Sequence, residues 1–270
     1  MEDEARGGLD PLRDRPRPHR GRRGRGPYAG DWREPDEPRT TYAALDLGTN
    51  NCRLLVARPA GHGFRVIDAF SRIIRLGEGI SASGRISDAA IERAVSALSV
   101  CRDKMRHRQA GRVRLIATEA CRAAENGNHF RARISQEVGL ELEIIDRMTE
   151  ATLAATGCTP LIDPGTEGVI LFDIGGGSSE LVRLGPCAPT RRGPPAPAIE
   201  GWVSIPLGVV TLAERHGGVT VTRAVFETMV AEVAAQIAFP CERLRVADRG
   251  LREGMLVEMM RADGVWDGRP

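Results

Sequence analysis

The chain has 270 residues, enough for one large domain or two of ordinary size. Apolar residues make up 41% of it, which allows a sizeable core, and aromatic residues only 4%, so that core must be mainly aliphatic. A net charge of +2 selects no class of partner, and six cysteines without C-x-x-C spacing argue against a zinc site or a disulfide framework. Because no apolar run reaches the length of a membrane span and no signal peptide is visible, we expect a soluble protein of the reducing cytoplasm with no membrane partner.

Residues 1–40 are rich in Arg, Pro and Gly and contain almost no aliphatic side chains. Such a segment cannot bury enough apolar surface to offset the loss of chain entropy, so we predict a disordered tail. Within it, residues 13–25 carry seven arginines against one aspartate, a cluster that could bind nucleic acid or polyphosphate electrostatically. Acidic flanks favour a solvated tail and disfavour nucleic acid as the partner.

Residues 41–158 predict a first α/β domain, in which three strands precede alternating helices and strands. The three strands lie between Thr41 and Ile74, and shorter ones are predicted at Val113–Ala117 and Leu142–Ile145. Helices are predicted from Ser87 to Met105, from Asn128 to Val138, and from Thr149 or Glu150 to Thr156. The order βββαβαβα indicates a mixed sheet flanked by helices.

Two segments more than a hundred residues apart follow the same strand–turn–strand pattern. In the first, an apolar strand ends at Asp46 and a glycine-containing polar turn follows; in the second, the strand from Val169 ends at Asp173 and three glycines follow. Glycine lets the chain turn sharply and lets backbone N–H groups approach an anion. A carboxylate at a strand end is also well placed to hold a hydrated divalent cation. We therefore predict two related halves facing each other across a phosphate-sized cleft, with plain glycine-rich hairpins as the alternative.

Residues 159–270 repeat the start of the first half. A proline-containing linker (residues 159–168) leads to the Asp173 segment, and a third strand is predicted at Trp202–Ile205. Helices are predicted near Pro206–Leu212, from Val221 to about Phe239, and at Leu251–Met260. These elements predict the start of a second βββα unit.

Six spaced segments together resemble a known family. They are Leu45–Asn50, Ala117–Arg122, Ile144–Ala151, Asp173–Glu180, Ser204–Gly208 and Asp248–Gly254. In this order they resemble the exopolyphosphatase and guanosine pentaphosphate phosphohydrolase (Ppx/GppA) family, part of the superfamily of sugar kinases, heat-shock chaperones and actin. The resemblance implies an α/β fold of two actin-like (ribonuclease H-like) domains with mixed sheets flanked by helices. It also implies hydrolysis of a terminal phosphoanhydride with Mg2+.

The resemblance assigns a role to individual residues. Glu150 aligns with the family's catalytic glutamate, which activates the attacking water. The implied phosphate-binding residues are Gly48, Thr49, Asn50, Asn51, Arg122, Gly175, Gly176, Gly177 and Ser178, and the implied metal ligands are Asp46, Asp173 and Glu180. Simpler explanations stay open: Glu150 could be a carboxylate favoured at a helix start, Arg122 a surface ion pair, and Glu180 a solvent-facing side chain.

Three functions remain open on the sequence alone. The first is hydrolysis of inorganic polyphosphate or guanosine pentaphosphate, which present the same terminal group. The second is a degenerate protein that binds polyphosphate or nucleotide without turnover. The third is an ATP-dependent sugar or acetate-type kinase of the same superfamily. The Thr118–Asn126 segment, Glu150 and the absence of a visible adenosine-binding glycine loop disfavour it. A homodimer is left open.

The second domain departs from the family pattern near residues 237–241. In the family, a further glycine loop and several elements separate the counterparts of Ile237 and Leu244, whereas here the chain runs directly from one to the other. We therefore expect an incomplete second domain with exposed apolar surface, and lower stability and activity than a version with the missing segment restored.

Overall fold

The structure is a computed structural model that describes residues 40–163, 165–187, 193–218, 220–237 and 244–267. The predicted tail lies outside the described residues except for Thr40, and the predicted gap at residues 237–241 lies outside them except for Ile237.

A five-stranded mixed sheet forms the first half, in the spatial order β3-β2-β1-β4-β5. Its strands are β1 (Thr41–Leu47), β2 (Asn51–Ala60), β3 (Gly63–Ile73), β4 (Ala110–Ala117) and β5 (Glu143–Ile144). β1, β2 and β3 are antiparallel neighbours, whereas β4 is parallel to β1 and β5 is parallel to β4. The parallel pairing brings the carboxyl ends of β1, β4 and β5 to one edge of the sheet, where the candidate site lies.

Helices cover both faces of this sheet. The helices of the described residues are α1 (Ile80–Ser83), α2 (Asp88–His107), α3 (Glu119–Ala123), α4 (Gly127–Val138), α5 (Arg147–Cys158), α6 (Val209–Arg215), α7 (Arg223–Gln236) and α8 (Leu251–Ala262), with a 3₁₀ turn at Thr159–Leu161. β1 is buried on both faces because its side chains alternate. Leu45 and Leu47 join the core under α2 and α4, while Tyr42 and Ala44 join the core under α5 and α8. The predicted α/β fold with a mixed sheet between helices is confirmed.

The second sheet is smaller and has three antiparallel strands in the order β6-β7-β8. They are β6 (Val169–Ile174), β7 (Ser179–Leu184) and β8 (Ile199–Ile205). β6 is the counterpart of β1, but no strand among the described residues pairs with its second edge, where β1 has β4. α6 and α7 contain no buried residue. The second half is therefore the less buried of the two, with several large apolar side chains in contact with solvent.

In the first half, the starts of α5 and α4 differ from the prediction. α5 begins at Arg147, not at Thr149 or Glu150, because the Asp146 side chain accepts a hydrogen bond from the Thr149 N–H and caps the helix one turn earlier. α4 begins at Gly127, so the proposed cap Asn128 lies inside the helix. α1 and α3 were not predicted.

α8 packs beside α5 on the first sheet, although it comes last in the chain. The predicted domain boundaries (41–158 and 159–270) stay a prediction. None of the helices among the described residues combines the length and the apolar character of a membrane span.

Candidate active site

Two turns of the same construction end β1 and β6. Gly48 donates its N–H to the carbonyl oxygen of Asn51 at 2.9 Å, and Gly175 donates to the carbonyl oxygen of Ser178 at the same distance. In each case the aspartate stands two residues before the glycine and the next strand follows at once. The two predicted strand–turn–strand segments thus have the same local structure.

The turn-closing bonds decide which N–H groups a phosphate could use. Gly48 and Gly175 are already committed as donors, so these two residues shape the turns and do not supply N–H groups to a ligand. Four following N–H groups carry no hydrogen bond among the described residues, those of Thr49, Asn50, Gly176 and Gly177. These are the groups that can bind an anion.

The two turns touch each other through the Thr49 side chain. A Cβ atom added to Gly176 would lie 2.8 Å from Cβ of Thr49, and one added to Gly177 would lie 3.1 Å from its Oγ1. Glycine at Gly176 therefore permits this close approach, and a side chain at Gly177 would force its neighbours to shift by a few tenths of an ångström. The two turns thus meet at Thr49, and the predicted phosphate-sized cleft between the two halves stays a prediction.

The second turn is held from behind by the start of α6. Val209 donates its N–H to the carbonyl oxygen of Gly175 at 3.0 Å, and Val210 donates to that of Gly176 at 2.8 Å. These contacts leave no room for a side chain at Gly208, where a Cβ atom would lie 2.5 Å from the backbone of Gly176. The first turn of α6 thus fixes the carbonyl groups of the glycine turn on one side and leaves its N–H groups on the other.

Asp46 and Asp173 hold their carboxylates in partly buried positions at the ends of β1 and β6. Burial raises the pKa of Asp46 to about 6, with Arg53 and Arg252 opposing the shift and Asp173 adding to it. Burial likewise raises the pKa of Asp173, and Arg53 opposes this shift too. The charge of Asp173 thus acts on Asp46, as expected if the two carboxylates share one site.

Glu180 points into the protein, so the solvent-facing alternative is wrong. Only 3% of the residue is exposed, and one carboxylate oxygen accepts hydrogen bonds from the hydroxyl groups of Ser178 (2.7 Å) and Ser204 (2.8 Å). Burial raises its pKa although both hydroxyl groups favour the ionised form. Glu180 pairs with Asp173 across the β6–β7 ladder, which places both acids on neighbouring strands.

Glu150 lies on the first turns of α5 and is held by Arg122, whose Nη2 donates to Oε2 at 2.7 Å. The two side chains are 14% and 16% exposed. Burial raises the pKa of Glu150 to about 7 even though Arg122 favours the carboxylate, and the charges of Glu180 and Asp46 add to the increase. A carboxylate that titrates near neutral pH is suited to accept a proton from water.

Arg122 also binds two other groups. Its Nη1 donates to the carbonyl oxygen of Ile145 at 2.7 Å, and its Nε and Nη2 donate to Oε2 of Glu119 at 3.1 and 2.9 Å. The alternative of an exposed surface ion pair therefore does not apply, since the guanidinium is mostly buried. Arg122 positions Glu150 directly, in addition to the phosphate contact that the resemblance implies.

Two carboxylates of the site, those of Asp46 and Asp173, are enough protein ligands for Mg2+. Among the described residues, no group of three or more His, Cys, Asp or Glu side chains is arranged to hold a metal ion. Mg2+ is commonly held by one or two carboxylates, with water and substrate phosphates completing its shell. Asp46 and Asp173 meet that requirement chemically, as partly buried oxygen donors beside the turns.

Sequence reasoning did not assign roles to Glu119 and Arg147. Glu119 stands three residues before Arg122, and Arg147 stands three residues before Glu150. Side chains three apart on a helix are neighbours, so this spacing was the available signal. The contact between Glu119 and Arg147 joins α3 to α5. Because these residues are far apart in the sequence, no local pattern predicts it.

Comparisons with known proteins agree with this geometry. Residues 55–238, more than half of the chain, match the profile of the Ppx/GppA phosphatase family. A solved exopolyphosphatase-like protein is 31% identical, with a TM-score of 0.62 over 74% of this chain and 60% of that protein. A Ppx/GppA family member from Aquifex aeolicus is 28% identical, with a TM-score of 0.57 over the same shares of the two chains.

An exopolyphosphatase from Cytophaga hutchinsonii shares the fold at 23% identity, with a TM-score of 0.63 over 84% of this chain and 64% of that one. The aligned part of the chain therefore spans about 60% of the length of these solved relatives. The matched profile, the 31% identity and the paired strand–turn–strand segments lead to one conclusion: the chain belongs to the Ppx/GppA phosphatase family.

Proposed function

We propose that the chain hydrolyses the terminal phosphoanhydride bond of inorganic polyphosphate or guanosine pentaphosphate and releases phosphate. The proposal rests mainly on the position of Glu150. Arg122 donates a hydrogen bond to its carboxylate, the charges of Asp46 and Glu180 act on it, and its pKa is about 7. Family membership and the exopolyphosphatase-like relatives support a phosphatase acting on substrates of the polyphosphate kind.

In this reaction Glu150 accepts a proton from a water molecule. The water oxygen forms a bond to the terminal phosphorus while the bond from that phosphorus to the bridging oxygen breaks. The products are one phosphate and a substrate shorter by one phosphoryl group. The N–H groups of the two turns stabilise the negative charge on the phosphate oxygens.

Asp46 and Asp173 would hold Mg2+, and Glu180, fixed by its two serines, would complete the acidic wall beside it. When bound, the ion would neutralise charge on the phosphate oxygens. Bringing a polyanion beside four carboxylates is unfavourable without such a cation, because like charges repel strongly in a poorly solvated site.

The proposal is tested by phosphate release from long-chain polyphosphate and from guanosine pentaphosphate, each with and without Mg2+. We expect release from at least one substrate and loss of that release when Mg2+ is chelated. Binding without release from either would favour the degenerate binding protein. Phosphate transfer from ATP to a sugar or to acetate would favour the kinase.

A further inference from the structure

One carboxylate holds two guanidinium groups at the edge of the site. Oε1 of Glu119 accepts a hydrogen bond from Nη2 of Arg147 at 2.8 Å, and Oε2 accepts from Nε of Arg147 at 3.3 Å. The same Oε2 also accepts the two hydrogen bonds from Arg122. Glu119 is only 14% exposed, and the two arginines keep its pKa below the usual value despite the opposing effect of burial. The cluster of these three residues therefore carries a net charge of +1.

The cluster lies beside Glu150 and the second turn, with Glu119 and Arg122 on α3 and Arg147 on α5. Arg147 lies in the first turn of α5, three residues before Glu150, so the two side chains share a face of the helix. A Cβ atom on Gly177 would lie 3.0 Å from Cγ of Glu119, which places the cluster against the second turn. The negative charges of Glu180 and Glu150 act on Arg147 and help to raise its pKa.

The two arginines differ in access to solvent. Arg122 is 16% exposed and donates four hydrogen bonds within the protein, so most of its N–H groups already have acceptors. Arg147 is 44% exposed, and both of its hydrogen bonds go to Glu119. A pre-oriented guanidinium with an exposed edge is well suited to bind phosphate oxygens through its planar fork.

We propose that Arg147 is a substrate-binding residue of this site, oriented by Glu119 to contact a phosphate group of the substrate beside Glu150. The inference rests on the proposed function, since it takes the substrate to be a polyphosphate chain or nucleotide. It adds a residue that supplies affinity for the polyanion and is not needed for the proton transfer.

The alternative is that Arg147 is a surface ion pair of Glu119 and nothing more. Exposed ion pairs contribute little to stability, so loss of such a pair would leave both folding and substrate affinity nearly unchanged. Arg112 provides a matched control. It is 53% exposed and pairs with the partly buried Asp263 at 2.9 Å, and it lies near the start of β4, at the opposite end of that strand from the site.

The test compares Arg147→Gln with Arg112→Gln in the full chain. Affinity for long-chain polyphosphate is measured by equilibrium binding at several salt concentrations, and kcat and KM are measured from phosphate release. For Arg147→Gln we expect affinity to fall about ten- to a hundredfold, KM to rise correspondingly and kcat to change little, as for the loss of one charged hydrogen-bonding partner. The slope of log affinity against log salt should shrink by about one. Arg147→Lys, which keeps the charge without the fork, should recover part of the affinity.

Unchanged affinity and salt dependence in Arg147→Gln would overturn the inference, as would an equal loss in Arg112→Gln. The binding measurement is independent of turnover. A parent chain that binds polyphosphate but releases no phosphate would therefore contradict the proposed hydrolysis while the role of Arg147 is still decided. A parent chain that binds no polyphosphate would overturn both.

Discussion

At the scale of single residues, two opposing effects act on Glu150. Burial makes its charged form unfavourable, while the hydrogen bond from Arg122 favours it. Burial prevails, helped by the negative charges of Glu180 and Asp46, and the pKa rises from 4.5 to about 7. A base that titrates there is half-ionised at neutral pH, which suits proton transfer but destabilises the fold at higher pH.

We therefore predict that Glu150→Gln raises the melting temperature at pH 9 by a few degrees. A group whose pKa is raised by folding stabilises the protein below its unfolded value, and this contribution is lost as the pH rises through the folded value. The gain of the variant should thus shrink as the pH falls through about 7 and disappear near 4.5. The exposed Glu167→Gln is the control, and calorimetry from pH 5 to pH 9 is the measurement. A gain that does not depend on pH would contradict the burial argument.

At the scale of elements, α5 carries Glu150 and Arg147 and is held by a close crossing with α8. A Cβ atom on Gly254 would overlap the carbonyl oxygen of Leu153, and one on Gly157 would overlap that of Gly250. The helices approach closely because both glycines lack side chains, and Leu153 and Met255 are buried in the core that the two helices share. The last helix of the chain thus fixes the position of the proposed base.

Gly254→Ala should separate the two helices and destabilise the fold by about 1–3 kcal/mol, as overpacking typically does. It should also lower phosphate release, because Glu150 moves with α5. Gly63→Ala is the control, since a Cβ atom there meets nothing within 4 Å. Denaturant unfolding of the two variants makes the comparison, and equal stability would mean that α5 and α8 adjust without cost.

The sequence predicted the elements whose signals are local. The two strand–turn–strand segments were found because the strand, the aspartate and the glycines stand within a few residues of each other. The start of α5 was predicted two or three residues too late, because Asp146 was not recognised as its cap. The contact of Thr49 with the second turn and the link from Glu119 to Arg147 join distant residues, so they depend on packing that no local pattern encodes.

At the scale of the whole molecule, the two halves differ in how much apolar surface they bury. The first sheet is covered on both faces, whereas Phe172 and Val203 of the second sheet are 42% and 51% exposed. On α7, Phe226 and Val230 are 58% and 49% exposed. Glu232 of α7 contacts the end of α6, because its carboxylate lies within hydrogen-bond distance of the Arg215 and His216 side chains. Exposed apolar side chains favour association where they form a contiguous patch.

We predict that the folded chain binds a hydrophobic dye such as ANS, and that a double substitution on α7, Phe226→Ser with Val230→Ser, reduces this binding without lowering the melting temperature by more than a few degrees. The reason is that both side chains expose about half of their surface and α7 contains no buried residue. Val113→Ser, at a single residue 50% exposed on β4, is the control and should leave dye fluorescence unchanged. A large loss of stability in the double variant would show that α7 packs against another surface in solution.

The most direct measurement of the proposed activity is phosphate release from long-chain polyphosphate by the parent chain and by Glu150→Gln, in Mg2+ at pH 8, with polyphosphate binding measured on both. We expect the parent to release phosphate and the variant to lose about a hundredfold or more of that rate while it still binds polyphosphate, because Gln keeps the shape of the side chain but cannot accept the proton. Retention of more than about a tenth of the parent rate, where general-base catalysis should supply at least a hundredfold, would contradict the role of Glu150 in hydrolysis.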